Sequence, residues 1–238
     1  MRKGLPVRPV GAFSQGIGRT ASTSGVGTSR GYVPGMSARV DLVALHSEEY
    51  AAARAPRVVP TAPARDHTPD GEGDVSGIDF LEQVRAHSSL LRDLRARARR
   101  ETGKDFRLPP LEALLGPPRA AGVEVDASGP LPWKILLRIP AFVRTGDLAA
   151  LCEGDDGVPD GAGSRPARIE ELREGRCIQA LHVGPLSDLA GTVDRLRWGA
   201  ADLGLSVRGR LHVMWLSDPA RTLPERRRTV IRLPVKPR

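Results

Sequence analysis

The hydrophobic pattern of this chain runs through the same order of elements twice, and that recurrence restricts the fold more than anything in the composition. The first pass begins near residue 56. Arg57-Val58-Val59-Pro60-Thr61-Ala62-Pro63-Ala64 reads as a strand whose prolines suit a sheet edge. Asp70-Gly71-Glu72-Gly73-Asp74 reads as a turn, with Gly71 and Gly73 as glycines that need positive φ. Over 78–101, Phe80, Val84, His87, Leu91, Leu94 and Ala98 recur at three- and four-residue spacing, which is one face of a helix that Gly103 stops. Residues 106–115 and 133–139 read as two strands.

Residues 143–165 hold a short helix near 147–152 and a loop of Gly, Asp and Pro, the natural hinge between halves. The order then returns. Residues 176–183 form a strand ending at Gly184-Pro185, and Ser187 is placed to cap a helix. Leu189, Val193, Leu196, Ala200 and Leu203 make its apolar face, Gly204 ends it, and strands follow at 208–216 and 227–234. This predicts an α+β fold: a duplicated strand–helix–strand–strand module with pseudo-twofold symmetry and a ligand cleft between the halves. The first half covers about 56–140 and the second about 166–238.

Composition removes several function classes. No apolar run approaches the roughly 18 residues that span a bilayer. Arg2 and Lys3 are not followed by the apolar stretch of a secretory signal, so the expected location is cytoplasmic, with no membrane partner. Cys152 and Cys177 lack metal or redox spacing and read as reduced thiols. His46, His67, His87, His182 and His212 are scattered, so neither a metal nor an organic cofactor is expected.

The net charge is +8, but Arg2, Lys3, Arg8, Arg19 and Arg30 supply five of those charges within residues 1–35, which hold no acid. That segment reads as a disordered basic tail. Arg92, Arg95, Arg97, Arg99 and Arg100 crowd the end of the first helix, where positive charge complements the macrodipole. Without interleaved aromatics they do not point to nucleic acid.

A family resemblance sits on six motifs in order across residues 37–238. Leu211-His212-Val213-Met214-Trp215-Leu216-Ser217-Asp218-Pro219, followed by Thr229-Val230-Ile231-Arg232-Leu233-Pro234-Val235, resembles the closing H-H-E-x-Y-L-S-D-P and T-x-x-R-x-P-V of GyrI-like small-molecule-binding proteins. Asp70–Asp74 is similar to D-G-x-G-D, Pro109-Pro110-Leu111-Glu112 to P-P-L-E-G-L-W-W, and Trp133-Lys134 to W-K-M-x-I. Glu174–Pro185 is similar to E-G-x-C-x-Q-x-x-H-x-G-P-Y. Members of the family begin near Met36, which places residues 1–35 upstream of the start of a stand-alone domain over 36–238.

The departures from the pattern decide what the resemblance implies. Val213 stands where the family has a pocket glutamate, Trp215 where tyrosine is usual, Leu114 and Leu115 for two tryptophans, and Leu186 for a tyrosine. Residues two apart on a strand share a face. Glu112 and Leu114 thus point one way, and Leu211, Val213 and Trp215 point one way. Under the duplication these two faces meet across the cleft, with Leu186 at its edge.

One carboxylate beside an indole suits a cation, so the expected function is non-covalent binding of an amphipathic or cationic small molecule. The alternative is hydrolysis of a strained or electrophilic small molecule, with Glu112 as the catalytic carboxylate, its pKa raised in an apolar cleft. A protein partner such as a topoisomerase is a third reading, and no segment marks its interface. Competing structural roles are core packing for Trp133, Trp198 and Trp215, and satisfied structural histidines at His182 and His212.

Overall fold

The computed structural model describes residues 39–75, 77–117, 130–147, 168–219 and 221–238, all within one compact unit, Gly35–Arg238. The expected tail at 1–35, Cys152, and most of the hinge with its helix near 147–152 fall outside the described residues.

The fold is α+β, built on a large antiparallel sheet. Two short helical turns, α1 (Leu42–Leu45) and α2 (Ser47–Tyr50), precede strands β1 (Arg57–Pro60), β2 (Ala64–Thr68) and β3 (Asp70–Gly73). Helix α3 (Ile78–Thr102) leads to β4 (Glu112–Leu115) and β5 (Leu131–Arg138). Then come β6 (Arg168–Leu172), β7 (Arg176–Val183), helix α4 (Ala190–Asp202), β8 (Leu205–Val207), β9 (Leu211–Trp215) and β10 (Arg228–Pro237). The strand order is β1-β7-β10-β9-β4-β5-β2-β6, with β3 on β5 and β8 on β10.

Connectivity follows one rule in each half. The strand that ends the half lies between the strand before its helix and the strand after it: β5 between β3 and β4, β10 between β7 and β9. The two middle strands, β4 and β9, pair antiparallel at the centre. β1 pairs with β7 and β6 pairs with β2, so each half lends a leading strand to the other.

Both long helices pack on the same face. Phe80, Leu91 and Leu94 of α3 and Val193, Leu196 and Ala200 of α4 lie in one core with Ile135, Ile178, Val213 and Ile231 of the sheet. Each fully buried aliphatic side chain contributes about 1.5–3 kcal/mol relative to exposure. α3 stops where Gly103 turns left-handed (φ 67°), its N–H on the Arg99 carbonyl. Beyond it, Arg95 forks onto Asp105 at 2.6 and 3.0 Å and fixes the chain's exit.

Several elements differ from the sequence expectation for local reasons. The strand expected over 106–115 narrows to Glu112–Leu115, because Pro109 and Pro110 carry no N–H for a ladder. The strand expected over 208–216 is confined to Leu211–Trp215, and a separate short strand, Leu205–Val207, precedes the turn at Gly209 (φ 69°). The stretch expected to turn at 70–74 is β3, paired with β5. Gly73 (φ 143°) and Gly184 (φ 132°) have positive φ, whereas Gly71 is needed for closeness: a Cβ there would lie 2.2 Å from the Trp133 ring. Trp133 is core, but Trp198 is 66% exposed. It sits two residues from Leu196, on the far side of the helix.

Candidate functional site

The register of the central strand pair decides which side chains can share a site. Glu112 is opposite Met214, Ala113 opposite Val213, and Leu114 opposite His212. Directly opposed residues point to the same face of a sheet. Glu112 and Leu114 therefore share a face with His212 and Met214. Leu211, Val213 and Trp215 share the helix face with Ala113 and Leu115. The expected convergence of Glu112 with Val213 and Trp215 does not occur. The two sets belong to adjacent strands of one sheet, with nothing bringing opposite faces together. Leu211 and Val213 are fully buried beneath the helices, and Leu114 is on the far side.

Trp215 and Leu186 do come together. With Phe80, Leu81 and Leu111 they line a cavity of about 260 Å³ between the first turn of α3, the helical turn Leu186–Asp188 and the ends of β9 and β10. Asp74, Ser187, Arg227 and Thr229 supply its polar groups. A second cavity of about 740 Å³ runs along α3 and shares Leu81, Leu111, Trp215 and Pro219 with the first. Trp215 is thus the wall common to both. Its ring lies 6.1 Å from Phe80, which meets Trp133 edge-on at 5.3 Å. This chain of rings fixes the indole before any ligand arrives. Concave, mainly apolar surface with a few placed polar groups is what small-molecule sites are made of.

Glu112 belongs to a different construction on the opposite face, beneath α1 and α2. Its Oε1 accepts from the Tyr50 hydroxyl at 2.6 Å and its Oε2 lies 3.0 Å from His212 Nε2. His212 Nδ1 is 2.9 Å from Glu174 Oε2, to which Arg232 Nη1 donates at 3.1 Å. Arg232 also donates to Gln179 and to the Glu49 carbonyl. Arg138 donates to Glu49 Oε2 at 3.0 Å. Every one of these side chains is buried.

Burial opposes the charge on His212, but the two flanking glutamates outweigh it and raise its pKa to about 9. Burial would likewise raise Glu112, yet donation from His212 and then Tyr50 holds it below its usual value, the reverse of the expected direction. Asp66 behaves otherwise. Burial, reinforced by Glu112, pushes it up to about 7 against the pull of Arg138. Glu49, Glu112 and Glu174 thus face Arg138, Arg232 and His212 in one buried cluster.

Asp66 Oδ2, Arg138 Nη2 and Glu174 Oε1 are buried without a protein partner, and their residues line a small chamber of about 10 Å³. That is room for about one water. The chamber can exchange protons and hold a small polar molecule; it cannot admit an amphipathic one.

His182 is a satisfied structural histidine, held by Thr192 and the Pro185 carbonyl. Sequence reasoning missed the partners in the buried cluster. One signal was present: Arg232 interrupts the apolar run Val230-Ile231-Arg232-Leu233, and a charge at a buried strand position must be paired. Among the described residues no group of His, Cys, Asp and Glu is arranged to hold a metal ion. His212 separates its two glutamates and joins them in a line.

No protein-family model matches the chain, and no curated protein does. Solved structures do. One is described as a hydrolase from Listeria innocua, with 26% identity and a TM-score of 0.69 over 83% of this chain and 100% of that one. An uncharacterized conserved protein from Listeria innocua has 25% identity and a TM-score of 0.71 over the same shares. The EcmrR C-terminal domain shares the fold alone, with 9% identity and a TM-score of 0.50 over 77% and 98%.

Proposed function

We propose that this protein is a GyrI-like domain that binds an amphipathic small molecule, without covalent chemistry, in the cleft between α3 and the second half of the chain. The observation that carries the reading is the position of Trp215. A held indole, with Leu81, Leu111 and Pro219, forms the wall shared by two adjoining cavities lined by apolar side chains together with charged ones. The six ordered motifs support the family, and the fold shared with the EcmrR C-terminal domain agrees with it. No helix among the described residues is long and apolar enough to cross a membrane, which fits a ligand met in water.

The test is a titration with an aromatic amphipath, followed by thermal shift and by Trp fluorescence in a Trp198→Phe background. Binding should raise the melting temperature and change the emission of the two remaining tryptophans, Trp133 and Trp215. Trp215→Phe, which keeps a ring against Phe80, should weaken the affinity severalfold. Equal affinity in that variant would place the ligand elsewhere.

A second reading, hydrolysis of a strained electrophile, draws on the description of two similar Listeria innocua structures as hydrolases and on the titratable groups of the buried cluster. Glu112 would be its working carboxylate. Both Glu112 oxygens are already engaged, and the chamber beside it is small, so substrate would have to reach it by displacing α1 and α2. Turnover of an epoxide that Glu112→Gln abolishes, with the variant still folded, would favour this reading over the first.

A further inference from the structure

We infer that the cleft selects an amphipathic molecule carrying an anionic group, a carboxylate or sulfonate, and disfavours cations. This rests on the cleft reading above and names its ligand class. The larger cavity has an apolar floor that includes Val84, Leu108, Leu111 and Trp215. Its charged lining is one-sided: Arg85, Arg92, Arg107 and Arg221 against the single carboxylate of Asp218.

Two of the four arginines are already engaged. Arg107 Nη1 is 3.1 Å from Asp41 Oδ2, and Arg221 Nε is 3.5 Å from Asp218 Oδ2. Among the described residues, Arg85 and Arg92 make no ion pair. They stand seven residues apart on α3, two turns along one face, with Ser88 between them. The same stripe continues through Leu81 to Trp215. An elongated molecule can therefore lay its apolar body against Trp215 and place its charged end between Arg85 and Arg92. A guanidinium presents several fixed donors that match a carboxylate or sulfonate in fork geometry. A cation on the same path meets Arg85 and Arg92, with no acid among the lining residues paired to either.

Neither residue of the expected carboxylate pair offsets this sign. Val213 is buried in the core and lines neither cavity, and Glu112 faces the other side of the sheet. The smaller cavity adds one acid and one base, Asp74 and Arg227, and so does not change the balance.

The experiment uses the full chain and three probes that share one ring and one linker: pyrenebutyrate, pyrenebutanol and a pyrenebutyl trimethylammonium salt. Affinities are read by fluorescence anisotropy at low and at high salt. The anion should bind at least tenfold more tightly than the cation at low salt, and the gap should shrink as salt screens it. Arg85→Gln combined with Arg92→Gln should weaken the anion about tenfold and leave the neutral alcohol unchanged. Both positions are exposed, so folding should survive, and an unchanged melting temperature checks this.

Equal or tighter binding of the cation, or an anion indifferent to the double substitution, would overturn the charge inference while leaving the cleft intact. Failure of all three probes to bind, or alcohol binding that Trp215→Phe does not weaken, would overturn the cleft reading and this inference with it.

Discussion

His212 Nε2 lies 3.0 Å from Glu112 Oε2, and neither side chain reaches solvent. A pair of this kind adds little to stability when complete and costs much when broken, because the survivor is left charged without water. The whole cluster shares this property. It joins Tyr50, the last residue of α2, to the two central strands and to β10, and so fastens the N-terminal segment across the sheet.

Glu112→Gln should therefore act on stability before it acts on any ligand. The expected loss is about 3–5 kcal/mol in urea unfolding. The pH profile should change as well. His212 has its pKa raised from 6.5 to about 9, so the stability it contributes is complete below about 6.5 and is lost as pH rises through about 9. Removing the Glu112 charge lowers that upper limit, and alkaline destabilisation should begin earlier. A loss below about 1 kcal/mol with an unmoved profile would show that the pair is not charged as described.

Asp66→Asn should stabilise the protein at neutral pH and above. Asp66 is raised from 3.8 to about 7, so the folded state holds its proton more tightly than the unfolded chain does. Its ionisation therefore costs stability progressively between about pH 4 and 7. The amide keeps the shape and cannot ionise. The variant should match wild type near pH 4 and exceed it by about 1–3 kcal/mol at pH 8, the scale for one unsatisfied buried group. A variant less stable than wild type at pH 8 would mean that the charged Asp66–Arg138 contact is the favourable state.

Val213→Glu should unfold the domain or destabilise it by at least about 3 kcal/mol. Val213 has no exposure and packs between the sheet and both helices. A carboxylate there has no partner within the core. Circular dichroism with chemical denaturation settles it, since a folded variant of near-normal stability would require the position to open to water.

What the sequence made legible, and what it hid, follows from burial on one face or on two. α3 could be read from Phe80, His87, Leu91 and Leu94, because one side of it meets water and the helical period stands out. β4 could be found but not oriented. Glu112, Ala113, Leu114 and Leu115 are all buried, so no alternation says which face Glu112 takes. Its register against β9, a contact spanning about a hundred residues, is set by tertiary packing. The buried cluster draws on seven separated segments, and only the charge of Arg232 within an apolar run hints at it. Trp215 was legible as a pocket residue through the family pattern, while Trp198 was misplaced because composition alone treats every indole as core.

Gly71→Ala should cost about 1–3 kcal/mol, the range for overpacking a filled site. The added methyl would lie 2.2 Å from the Trp133 ring, whose own position is fixed by Phe80. The glycine has no positive φ, so the effect is steric and should be relieved by shrinking the neighbour. Gly71→Ala in a Trp133→Phe background should cost measurably less than in wild type. Additive losses would place the strain elsewhere.

The two tryptophans on either side of the second half separate structure from function. Trp198 is 66% exposed and Trp215 is 6% exposed. Trp198→Ala should change stability by less than about 0.5 kcal/mol, as surface substitutions do. Trp215→Ala should cost about 3–5 kcal/mol through the cavity it leaves against Phe80. That cost alone would confuse a binding assay, so Trp215→Phe is the more informative change. It keeps a ring against Phe80 while shortening the wall that both cavities share. Its stability loss should be smaller than that of Trp215→Ala, and its affinity for an aromatic amphipath should fall severalfold. A variant that loses stability without losing affinity would make Trp215 a core residue and nothing more, and the cleft would then need another wall to be a binding site.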